Sequence, residues 1–126
     1  ILEKYGDYYL RVLRDLSRYS LVKHGVDALR LQEYPFCQDK FDVIIFNFPC
    51  TDIHYVENPA ASIESNQTLL RGFFASAKQV LRPDGQVRVT LRECPPYTRW
   101  NVVEQAVKCG LRHLLSEDFR PEDYPG

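Results

Sequence analysis

The chain has 126 residues, 44% of them apolar, which is enough for one core and too little for two domains of ordinary size. Charged residues make up 26% and nearly balance, at a net of −1, so no bulk basic excess advertises capture of nucleic acid by the chain alone. No apolar run approaches the roughly 20 residues of a membrane span and no secretory leader is visible, so a soluble intracellular protein without membrane contact is expected.

The charge is uneven along the chain. Positions 1–30 and 82–112 are net positive, while 31–81 and 113–126 are net negative, which leaves room for a local basic face. Cys37, Cys50, Cys94 and Cys109 form no C-x-x-C pair and none of the close ligand sets of zinc sites. They read as free thiols in a reducing compartment, with no metal expected. The first residue is Ile and Met is absent, so the chain is read as lacking its natural start.

Leu2, Tyr5, Tyr9, Val12, Leu13 and Leu16 recur at intervals of three and four, which predicts a helix over 2–18. Leu21, Val22 and Val26 predict a short strand ending near Asp27. The run "FDVIIFNF" at 41–48 is continuous enough for a strand covered on both faces, as in a parallel sheet. Ser65 or Asn66 is a candidate cap for a helix whose stripe is Leu69, Leu70, Phe73, Phe74, Ala77, Val80 and Leu81. "RPDG" then reads as a turn, and "QVRVTLRE" alternates Val87, Val89 and Leu91 with Arg88, Thr90 and Arg92, predicting a strand with one buried face. A helix over about 98–108 ends at Gly110, and "LRHLLSEDF" supplies a last strand. Helices alternating with strands predict an α/β layered domain with a mostly parallel sheet, one domain over 1–126.

In such a sheet ligands bind beyond the carboxyl ends of the strands. That rule selects the loops that begin at Asp27, at Asn47-Phe48-Pro49 and at 93–97, with 50–65 long enough to form a lid or substrate loop. Asn47 offers a donor and an acceptor for the edge of a planar base, Phe48 a stacking wall and Pro49 a fixed backbone. The alternative is that Pro49 merely ends the strand while Asn47 bonds its own loop.

"HGVDALRL", "FDVIIFNFP", "NQTLLRGFFASAKQVLRPDGQVRVTL", "PPYTRWNVVEQA" and the terminal F-R-P-E-D-Y-P-G resemble, in that order, the base methyltransferases that make N3-methyluridine in large-subunit ribosomal RNA. The resemblance covers nearly the whole chain, and "FDVIIFNFP" followed by N-x-x-L-L-x-x-F-F is its most specific part. It implies a Rossmann-like class I methyltransferase fold, S-adenosylmethionine as cofactor, ribosomal RNA as partner and a nuclear or nucleolar location. It also implies that Asp27 and Ala28 hold the cofactor's adenine, and that Asn47, Phe48 and Pro49 sit where target base meets methyl donor. Cys50, Tyr97, Arg99 and Trp100 fall on the substrate side, with Pro96, Tyr97 and Trp100 matching the P-Y-x-x-W of the family.

Two departures accompany it. The family pattern has histidine after F-N-F-P where this chain has Cys50, and its opening strand, glycine-rich G-x-G loop and second strand have no counterpart here. The first strand, helix and second strand of the fold are therefore expected to be missing. They are then supplied by residues before Ile1 or by another segment, or the fold has become a non-catalytic module acting in a ribonucleoprotein or protein complex. For methyl transfer to uracil the ring-nitrogen proton needs an acceptor, for which Asp52 is preferred over His54 and Glu93; each reads equally as a solvated loop charge. Tyr97 and Arg99 suit stacking on RNA and neutralising it, whereas Arg88 and Arg92 fit an ordinary solvent-facing strand. His24 and His113 read as surface histidines, and Phe73-Phe74 as core.

Overall fold

The computed structural model describes residues 2–38, 40–51 and 59–123. The helical spacing at the start yields α1, Leu2–Leu16, after which the Ser17 hydroxyl turns back onto the Leu13 carbonyl at 2.8 Å. Tyr8, Leu10 and Leu16 are exposed, and no described residue of α1 joins the core.

The strand expected at 21–27 does not form. Gly25 has φ +68°, in the left-handed region rather than the extended one, and among the described residues no third strand flanks the sheet. The segment instead leads into two 3-10 turns, Leu31–Glu33 and Pro35–Cys37. Arg30 and Glu33 pair across the first turn, and the hydrogen bond from the guanidinium, more than its charge, holds the Glu33 carboxyl below the usual carboxylate range.

The apolar run at 41 becomes β1, Phe41–Asn47, and α2, Pro59–Val80, carries the chain over to β2, Leu81–Thr90, which pairs with β1 in parallel. Helix α2 begins at proline, which is tolerated in a first turn because its missing N–H has no intrahelical partner there. Ser65 and Asn66 therefore lie inside the helix rather than capping it, and the buried Asn66 acts as a polar anchor. The predicted turn 82–85 lies within the bounds of β2 as an irregularity. Phe41 stands opposite Leu81 and Val43 opposite Gln86, and the extra residues bulge outward with Arg82 paired to Asp42 at 3.1 Å.

The core lies between α2 and one face of this sheet. Leu70, Phe73, Phe74 and Ala77 of α2 and Trp100 form it, with Ile44 and Phe46 of β1 and Val87, Val89 and Leu91 packed against them. The Phe46 and Phe73 rings are 4.5 Å apart between centroids. Strand β1 is not covered on both faces as its sequence suggests: α2 covers Ile44 and Phe46, whereas Phe41, Val43 and Ile45 are 37%, 40% and 54% exposed. Strand β2 keeps the expected alternation, with Arg88 outside.

Segment 29–32 docks on the same helix. The Leu31 N–H donates to Ser76 Oγ at 2.7 Å, and the Ser76 hydroxyl donates to Gln32 Oε1 at 3.1 Å. A Cβ on Gly72 would stand 2.9 Å from Leu29 Cδ2, so glycine there permits the approach.

The helix expected over 98–108 is split into a 3-10 turn, Tyr97–Trp100, and α3, Val102–Lys108, because Asn101 between them takes the left-handed conformation at φ 51°. Asparagine tolerates that region, and the break lets Trp100 enter the core while Gln105 Nε2 donates to its carbonyl at 3.1 Å. Gly110, at φ +84°, terminates α3 as its sequence position implies. No strand follows at 111–119: Leu114, Leu115 and Phe119 are exposed, and neither sheet edge carries a third strand among the described residues. The result, among the described residues, is an α/β arrangement of three helices and a two-stranded parallel sheet.

Leu70 is fully buried, so Leu70→Ala is expected to cost about 2–5 kcal/mol in urea unfolding. Ile45→Ala, on the open face, is expected to cost less than about 1.5 kcal/mol. Equal losses would show that the outer face of β1 is covered in solution.

Candidate functional site

The two strand ends and the loop after β2 meet at one corner. Asn47 and Thr90 are register partners at the last rung of the ladder, and Thr90 Oγ1 donates to Asn47 Oδ1 at 2.9 Å. The Phe48 N–H donates to the Thr90 carbonyl at 2.8 Å while Phe48 itself sits at φ 51°. Pro49 is buried, whereas Phe48 before it is 54% exposed.

Phe48, Pro49, Cys50, Leu91, Arg92 and Tyr97 line a cleft of about 290 Å³, at the lower end of the roughly 300–1,000 Å³ usual for ligand pockets. Two aromatic rings, one thiol and one guanidinium face it, and no carboxylate or imidazole among the described residues does. The far wall is braced from behind: the Tyr97 N–H donates to the Cys94 carbonyl at 2.9 Å, and its ring meets Trp100 edge-on at 5.0 Å. The near wall is tied to α2 through Asn66, whose Oδ1 accepts the Thr51 N–H at 2.9 Å while its Nδ2 donates to the Ser62 carbonyl at 2.9 Å.

Of the residues singled out in the sequence, Phe48, Pro49, Cys50 and Tyr97 come together around this cleft, whereas Asn47 is outside its lining, at the last rung of the ladder one residue before Phe48. Trp100 does not reach the surface; at 2% exposed it supports Tyr97. Arg99 is exposed outside the lining, and its carbonyl accepts a hydrogen bond from Gln67 Nε2 at 3.0 Å. Asp27 and Ala28 also lie outside the lining. The Asp27 carboxylate closes its own turn by accepting the Leu29 N–H at 2.9 Å, its backbone N–H donates to the Tyr34 hydroxyl at 2.8 Å, and Ala28 packs against the core. Asp52 and His54 fall outside the described residues, and Glu93 is exposed without lining the cleft.

The sequence singles out neither Leu91 for the cleft nor Thr90 for the bond to Asn47, leaves Arg92 open between a face toward RNA and an ordinary solvent-facing strand, and offers Ser65 or Asn66 as a cap. The only signal for Thr90 was its place at the end of "QVRVT", and its pairing with Asn47 needs the register. Among the described residues no helix is long and apolar enough to cross a membrane, and no group of three or more His, Cys, Asp or Glu is placed to hold a metal ion.

The chain, over residues 1–126, matches the BMT5-like family, described as rRNA (uridine-N3-)-methyltransferase BTM5-like. It is 36% identical over 118 residues to heavy metal-associated isoprenylated plant protein 41 of Arabidopsis thaliana, covering 93% of this chain and 22% of that protein. It is 30% identical over 115 residues to an uncharacterized Arabidopsis thaliana protein, covering 88% of this chain and 55% of the other. The chain thus spans from about a fifth to about half the length of these curated relatives. No solved structure matches it.

All four cysteines are unpaired; Cys50 and Cys94 are exposed, and burial pushes the Cys37 thiol above its ordinary pKa. A raised thiol pKa contributes stability that is whole below the unfolded value and lost as pH rises through the folded one. Maleimide at neutral pH is therefore expected to label Cys50 and Cys94 promptly and Cys37 only on unfolding, read by peptide mass mapping. Prompt labelling of Cys37 would contradict the packing of its turn.

Proposed function

The chain belongs to the BMT5-like rRNA (uridine-N3-)-methyltransferase family, and from that membership we propose that it is part of an enzyme transferring the methyl group of S-adenosylmethionine to uridine N3 of large-subunit ribosomal RNA. On this reading residues 1–126 are one partial domain of a Rossmann-like class I methyltransferase, and the β1-α2-β2 unit is the piece whose strand ends carry the site. The observation that carries it is the aromatic cleft at those ends, flanked by Phe48 and Tyr97. Its volume suits a single planar ring turned out of a helix, with the two aromatics as stacking walls and Arg92 available to the RNA backbone. An rRNA substrate brings with it a nuclear or nucleolar location.

S-adenosylmethionine, when bound, supplies the electrophilic methyl group. The residues present suit one end of it: the exposed Asp27 carboxylate spends Oδ1 on its turn and keeps Oδ2 for the exocyclic amine of adenine, beside the small Ala28. Asn47 and Pro49 hold the ring edge, Cys50 borders the base, and Arg99 meets RNA outside the cleft. The uridine N3 proton must leave before or during attack; Asp52, just past Pro49 in the chain, is the proposed acceptor.

Cys50 in place of histidine favours a second reading, a non-catalytic methyltransferase-like module in a ribonucleoprotein or protein complex. Calorimetric titration of S-adenosylmethionine into the full-length protein separates the two. Binding is expected, weakened about tenfold or more by Asp27→Ala. Asn47→Ala is expected to spare binding and lower the transfer rate by about 10²–10³-fold. Failure of the full-length protein to bind selects the non-catalytic module, and unchanged transfer by Asn47→Ala removes Asn47 from the site.

A further inference from the structure

The last rung of the ladder decides which half of the Asn47 amide is left without a partner among the described residues. Thr90 has one hydroxyl proton, and it goes to Asn47 Oδ1 at 2.9 Å. The amide nitrogen, with two N–H donors, has no partner among the described residues and sits on an exposed side chain. Threonine is stiff at χ1, so the hydroxyl is held where it is. Through its carbonyl the same residue also accepts the N–H of Phe48, fixing the exit of the chain on the other side of Asn47.

Resting on the uridine methyltransferase reading, we propose that Thr90 is a positioning residue that turns Asn47 into a hydrogen-bond donor toward a carbonyl oxygen of the uracil ring. Uracil N3 lies between two carbonyl carbons. When its proton leaves, the negative charge spreads onto both flanking oxygens, and an N–H aimed at either one stabilises the nucleophile as it forms. The N3–methyl bond then forms as the carbon–sulfur bond breaks and its electron pair returns to sulfur, while the N3 proton goes to an acceptor other than Asn47. Asn47 therefore does not take that proton. If the donor faces the oxygen at C4, it also discriminates against cytosine, whose C4 amino group would meet donor with donor.

Asn47→Asp in the full-length protein separates a donor from an acceptor. The donor assignment expects transfer to fall at least as far as in Asn47→Ala, by about 10²-fold or more, because a carboxylate then faces a carbonyl oxygen and its charge opposes the forming anion. Transfer by Asn47→Asp within about threefold of the native rate would overturn it, since a carboxylate is the better proton acceptor. Thr90→Val keeps the shape and removes the hydroxyl; it is expected to lower kcat by about tenfold or more with the KM for RNA and the cofactor affinity within about twofold, and Thr90→Ser is expected to restore most of kcat. A Thr90→Val variant with native kcat would sink the positioning role. If the native protein transfers no methyl at all, the functional reading fails and the substrate contact with it. The orientation is then decided by the side-chain amide NMR signal of Asn47, which must move in Thr90→Val and stay in Thr90→Ser; an unmoved signal in both overturns it.

Discussion

One contact organises this molecule: the apolar stripe of α2 lying across a single face of a parallel strand pair. Leu70, Phe73, Phe74 and Ala77 of the helix meet Ile44, Phe46, Val87 and Val89 of the strands, and the segment before β1 and the loop and helix after β2 are placed by joining that layer. Segment 29–32 reaches it through the hydroxyl of Ser76. The loop after β2 reaches it by inserting Trp100, and Asn66 ties in the strand exit at Thr51. Parallel pairing is what requires the crossover helix, and the crossover sets both carboxyl ends side by side. The cleft is thus a by-product of covering one face of two strands.

The other face shows what that contact does not reach. Phe41, Val43 and Ile45 stand on the side of β1 away from α2, beside Gln86, Arg88 and Thr90 of β2. Leaving these side chains 37–54% exposed forgoes up to about half of the roughly 1.5–3 kcal/mol that full burial of each contributes. The polar partners on β2 are a different matter, because Thr90 on that side is spent on Asn47 rather than on solvent. The two strands thus contribute unlike halves to the open face, and the polar half terminates in the bond from Thr90 to Asn47.

Much of this was readable in the residues, and the parts that were not share a cause. Strands β1 and β2, the buried Phe73-Phe74 pair and the glycine that ends α3 follow from local pattern, because periodicity and turn chemistry are properties of neighbouring residues. The strands expected at 21–27 and 111–119 fail because a strand exists only with a ladder partner, which no local pattern reveals; Gly25 at φ +68° also turns the first of them away from extended backbone. The break at Asn101 hides in an otherwise helical stretch, since asparagine tolerates the left-handed region without announcing that it uses it. At the strand ends, Asn-Phe-Pro was legible as a motif, but the bond from Thr90 to Asn47 was not, because it is created by register across 43 positions of sequence.

The corner also explains why a strand that is free to end anywhere ends on these residues. Asn101 and Phe48 share φ 51°, yet they gain from it differently. The left-handed turn at Asn101 costs asparagine little and is offset by the burial of Trp100. At Phe48 the same conformation falls on an aromatic residue, costs about 1–2 kcal/mol, and leaves the residue 54% exposed, so less of it is packed in return than at Trp100. A shorter polar residue or glycine would turn the chain there at lower cost and hide no ring. What the conformation does achieve is local: it returns the Phe48 N–H to the Thr90 carbonyl, keeps Asn47 against the Thr90 hydroxyl, and holds an aromatic wall over the cleft opposite Tyr97. The strain at Phe48 is thus offset by local hydrogen bonds rather than by packing of the residue, which sets this corner apart from the open face and the exposed loops.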